Sequence, residues 1–172
     1  MHISLDKHIE EQRELYEFFE SFPYDRGNDR EIVIVGCAYL ESLIKSALTE
    51  FLVQDENEIR ILLDEGNGSL PGLVQRARLL YLVDLIPQII YKDLKNIGKI
   101  RNHFAHNVGA CFEETRIKDL CVNLQWHVYT LMKKPPEGAT SRDIYQVAVN
   151  QLVSYLGAIP GQARLRRNAR GT

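Results

Sequence analysis

Apolar residues recur along this chain at helical spacing, and no period-two alternation persists, so the pattern predicts an all-α fold. Residues 5–21 form a first amphipathic segment with Leu5, Ile9, Leu15, Phe18, Phe19 and Phe22 on its apolar side, closed by Pro23 and the Asp25-Arg26-Gly27-Asn28 turn. In a second helix over 29–53, Ile32, Val33, Leu40, Leu43, Ile44, Ala47, Leu48, Phe51 and Leu52 wrap well past half the circumference. That helix is expected at the centre, contacted on several sides. The β-branched run Ile32-Val33-Ile34-Val35 suits a short strand but has no partner strand elsewhere, and is read as helical.

A short helical turn near 56–64 leads to the Gly66-Asn67-Gly68 loop. Ser69-Leu70-Pro71 then opens a third helix running to about Leu85, with serine as cap and proline in the first turn. Pro87 starts a fourth, ending near Asn107-Val108-Gly109, where asparagine and glycine suit a left-handed stop. A fifth covers roughly 113–132, Lys134-Pro135-Pro136-Glu137-Gly138 breaks it, and a sixth covers about 141–157. The expected architecture is a single-domain helical bundle of about six helices over 1–158, followed by a flexible basic tail over 159–172.

The fourth helix carries the anomaly. At about 100° per residue, Ile90, Leu94, Ile97 and Phe104 fall in one stripe, and Arg101 lies inside it. A guanidinium there cannot shed its charge, so it either pairs with a carboxylate inside the bundle or lines a site for an anion. Glu41, on the same flank of the second helix as Ile34, Cys37 and Leu48, is the carboxylate expected to pair with it. The alternative use of Arg101 joins Asn102 and His106. Arginine can grip a phosphate by two parallel hydrogen bonds, and a histidine can move a proton, which together suffice for metal-independent RNA cleavage. Residues five apart diverge by about 140° on a straight helix, so this pairing requires a bend before His106.

Charge and cysteine content narrow the function classes. The formal net charge of −2 argues against a surface built broadly for nucleic acid. Arg164, Arg166, Arg167 and Arg170 concentrate positive charge at the C-terminal end, and without them 17 basic residues face 23 acidic ones. Cys37, Cys111 and Cys121 are odd in number, lack CxxC spacing and sit among apolar neighbours, which implies a reducing, cytoplasmic setting. The charged N-terminus and the absence of an apolar run near ~18 residues predict no membrane segment.

Other candidates have ordinary explanations. His103, Asp84 and Asp93 read as surface side chains on helices, Arg76 and Arg78 as solvent-facing helix formers, and Trp126 with Tyr129 as core. His103 and His106 lack a third ligand at metal spacing, and no glycine-rich phosphate loop is present, so neither metal nor cofactor is expected. Phe18, Phe19, Phe22, Tyr145, Val149, Leu152 and Tyr155 exceed what one small bundle is expected to cover, which predicts a homodimer.

The segments Gly68 to Ile86 and Leu94 to His106, with Ala38-Tyr39-Leu40-Glu41 before and Phe112-Glu113-Glu114 to Cys121 after, resemble the mannitol operon repressor-like family over about residues 30–125. The resemblance implies an all-helical bacterial regulator of transcription without a recognisable DNA-reading element; the acidic body and the lack of a helix-turn-helix with an exposed basic recognition helix point to action through an unidentified protein partner. The Arg101-Asn102-x-x-x-His106 string is also similar to the motif of HEPN domains. That likeness implies a dimeric, metal-independent ribonuclease with Arg101, Asn102 and His106 as its catalytic residues and RNA as its substrate.

Overall fold

The computed structural model describes residues 13, 27–63, 68–129 and 137–171. The predicted helix over 5–21, including Phe18 and Phe19, lies outside the described residues apart from Arg13, as does Phe22. The described chain folds into α1 (Asp29–Phe51), α2 (Glu56–Leu63), α3 (Gly72–Leu82), α4 (Gln88–His106), α5 (Thr115–Val122), α6 (Trp126–Tyr129), α7 (Ser141–Gly157) and α8 (Ile159–Arg170), with no strand among the described residues. The all-α bundle expected from the periodicity is therefore the observed fold.

Asn28 starts α1 by accepting the Glu31 N–H at 2.9 Å, and Asp29 and Glu31 place negative charge on its first turn. Ile32, Val33, Leu40, Ile44, Ala47 and Leu48 are fully buried, and α1 packs against α3, α4, α7 and α8. Each buried Val, Ile or Leu removes enough apolar surface from water to contribute about 1.5–3 kcal/mol, which makes α1 the element around which the others assemble. By length and composition alone its 23 residues could cross a membrane; here the apolar content is used as core. The β-branched run is helical, with Ile32 and Val33 inward and Ile34 and Val35 outward.

Helices α3 and α4 form an antiparallel hairpin. The turn at Asp84 (φ 58°) joins them, Tyr81 stacks on Tyr91 at 5.2 Å near that turn, and Gly98 meets Val74 at the other end. Their lengths differ. With 11 residues against 19, α3 stops while α4 continues to His106.

Four boundaries depart from the sequence pattern. Ser69 does not cap α3: Pro71 holds the cap position without a side-chain bond. Asn107 is extended (φ −123°) rather than left-handed, and its side-chain amide donates to the His103 carbonyl at 2.8 Å. The fifth helix is broken at Asn123-Leu124-Gln125, because Asp93 captures the Gln125 N–H. The expected flexible tail is helix α8, with Ile159, Pro160 and Ala163 buried against the bundle. Its arginines serve the negative end of α1: Arg167 donates to the Glu50 carbonyl at 2.8 Å and Arg170 to the Phe51 carbonyl at 3.1 Å. Arg166 reaches Asp84 at 3.7 Å.

Candidate functional site

The unequal lengths of α3 and α4 create the site. Gly98 lets the helices approach so closely that a Cβ there would lie 2.4 Å from Val74 Cγ2. One turn further on, Arg101 passes the start of α3 and is exposed, with none of the described elements packed over it. The result is a groove of about 680 Å³ between α1, the first turn of α3 and the second half of α4. Lys95, Lys99, Arg101 and Asn102 form one wall, Gly72 to Gln75 the other, and Cys37 and Glu41 lie at the base.

Glu41 and Arg101 line the same groove but do not pair. The Glu41 carboxylate accepts the Leu73 N–H at 2.6 Å and supplies from α1 the cap that α3 lacks locally. This placement answers its buried-side position, since a carboxylate at a helix N-terminus meets free N–H groups and the positive end of the dipole. Arg101 is exposed, and its described partner is the Asn102 side-chain carbonyl at 3.2 Å. The expected ion pair and the expected burial of Arg101 are thus both corrected. Its wheel position is inward, but the helix that should face it has ended.

The structure brings Arg101 and Asn102 together and leaves His106 apart. Helix α4 stays regular through His106, so within one chain Arg101 and His106 diverge by about 140°. The bend that convergence required is absent, and His106 is exposed outside the groove. Cys37, at the base of the groove, is buried. It is 2% exposed beside Tyr145 Oη at 3.8 Å, and burial pushes its thiol up to about 12. Among the described residues no group of three or more His, Cys, Asp or Glu side chains could hold a metal ion.

Three side chains read as surface groups have internal roles. His103 is half-buried and 2.8 Å from Glu114, whose other oxygen accepts the Cys111 N–H at 3.1 Å; that backbone bond, with the His103 contact, holds the Glu114 carboxyl below its ordinary range. Asp93 is fully buried, accepts the Gln125 N–H at 2.9 Å and 3.0 Å and the Tyr129 hydroxyl at 2.9 Å, and is raised by desolvation to about 6. Arg76, 1% exposed, donates to the Leu63 and Leu70 carbonyls and ties α3 to the end of α2. Their signal was in the spacing. Asp93 shares a face with Ile90 and Ile97, and Arg76 with Leu73 and Leu80, as Arg101 does with Ile97.

The class this fold defines is an all-α helical bundle, and solved structures share it. One solved structure that resembles it is a chain from the X-ray structure of the MtlR–HPr complex from Escherichia coli, 20% identical with a TM-score of 0.57, covering 90% of this chain and 98% of that one. Another is a possible transcriptional regulator, YggD, from Shigella flexneri, 15% identical with a TM-score of 0.57, covering 86% of this chain and 95% of that one. No protein-family model and no curated protein matches the sequence. At these identities the likeness establishes a common fold.

Proposed function

We propose that this protein is a cytoplasmic bacterial regulator of the mannitol-repressor type that acts by binding another protein rather than by reading DNA. The observation that carries the proposal is the match along 90% of the chain to 98% of a chain from a structure solved as a complex with HPr. Two features of the molecule support it. The C-terminal arginines, the densest run of positive charge in the sequence, are engaged on α1 and Asp84. The other clustered cations, Lys95, Lys99 and Arg101 on α4, line a groove whose opposite wall is Gly72 to Gln75 of α3.

The test is a calorimetric titration with purified HPr beside an electrophoretic shift assay on duplex DNA at physiological ionic strength. Association with HPr and no sequence-specific shift are expected; a sequence-specific shift by the protein alone would overturn the proposal. A homodimer is part of this proposal, although its original support has narrowed: Tyr145, Val149 and Leu152 are fully covered within the protomer. Ile34 and Val35 form an adjacent exposed apolar pair on α1, one of several exposed apolar positions among the described residues. Light scattering above the 19.8 kDa monomer mass is the expected result.

The second reading, a HEPN-type ribonuclease using Arg101, Asn102 and His106, is favoured by one observation, that Arg101 and Asn102 are open to solvent. It requires His106 from a second copy to complete the centre, because one chain does not bring the residues together.

A further inference from the structure

We infer that the groove beside Arg101 is the docking site for an acidic segment of a partner protein, received by Lys95, Lys99 and Arg101. The inference deepens the protein-contact proposal and rests on it.

The first observation is the state of Arg101. Arg30, Arg76, Arg142, Arg166, Arg167 and Arg170 each spend donors on a carbonyl or carboxylate, whereas Arg101 meets only the Asn102 amide oxygen among the described residues. A guanidinium offers five N–H donors in a planar fork suited to a carboxylate, so most of that capacity faces the groove unused. The second is the charge balance. Lys95, Lys99 and Arg101 face a single carboxylate, Glu41, and that group is committed to the Leu73 N–H. Helix α4 adds no compensating acid: its only carboxylate, Asp93, is buried beneath Gln125 and Tyr129.

The third observation separates a protein from a nucleic acid. Recognition of single-stranded RNA relies on aromatic side chains for base stacking, and among the described residues no aromatic side chain lines this groove. A short acidic segment needs no stacking platform. It requires a few fixed cations beside an apolar wall, which Leu73 and Val74 provide.

The experiment is fluorescence anisotropy with a labelled hexaglutamate peptide. It compares the wild type with the groove variant Lys99→Glu/Arg101→Glu and with Lys92→Glu/Lys118→Glu, an equal charge change at exposed positions outside the groove. All three proteins should melt alike, since the four side chains are solvent-exposed. The groove variant is expected to bind about tenfold more weakly, the loss of two exposed ion pairs, while the control variant binds as the wild type does. Absence of peptide binding, equal weakening in both variants, or tighter binding of an oligouridylate of the same charge would overturn the inference. If HPr association survives in the groove variant, the groove assignment fails and the protein-contact proposal stands; preference for the oligouridylate defeats both.

Discussion

Glu41 holds the first turn of α3 from a neighbouring helix, so Glu41→Ala is predicted to cost about 1 kcal/mol, the usual worth of a helix cap. Arg101→Ala, which removes an exposed side chain, is predicted to change stability by less than about 0.5 kcal/mol. Urea midpoints of the two variants check both values, and a large loss in Arg101→Ala would restore the ion pair. Asp93 makes a pH-dependent prediction. Its native pKa of about 6 lies above the ordinary 3.8, so between those values the folded state holds more protons than the unfolded one. Its stabilising contribution is therefore full below about pH 4 and is lost as pH rises through 6, a change of about 3 kcal/mol. Asp93→Asn should flatten the pH dependence of the urea midpoint over that window; an unchanged slope would mean Asp93 does not titrate there.

At the level of elements, the contact between α3 and α4 turns on Gly98. Gly98→Ala places a Cβ against Val74 Cγ2, and a β-branched side chain has little rotamer freedom to retreat, so a loss of about 1–3 kcal/mol is expected. Combining it with Val74→Ala should recover part of the loss, measured as coupling in a double-mutant cycle. Helix α8 makes a second prediction. Truncation after Ala158 removes three buried residues and the arginines that serve the C-terminus of α1, and is expected to cost about 3 kcal/mol or more, seen as a lower melting temperature. A dispensable tail would leave the melt unchanged.

Across the whole molecule, hydrophobic periodicity alone conveys the helical class, the central place of α1 and the extents of α4 and α7, because burial on several sides leaves a continuous apolar imprint. It does not convey α8, whose composition reads as a soluble tail because its arginines act on carbonyls of another helix. Nor does it convey the state of the site. The same inward wheel position buries Arg76 and Asp93 and exposes Arg101, which lies beyond the first residue of α3, a tertiary fact. The groove residues themselves, Glu41, Arg101 and Asn102, stand out in the sequence, while Lys95, Lys99 and the α3 N-terminus join them only through the fold.

The proposed function makes the Arg101–His106 segment a binding surface and not a reaction centre. The most direct measurement incubates the protein with total RNA in EDTA, beside His106→Ala. Both are expected to leave the RNA intact, because Arg101 serves a protein-docking groove and His106 lies outside it, on a divergent face of the same helix. Cleavage by the wild type that disappears in His106→Ala would contradict it and make the protein an endoribonuclease.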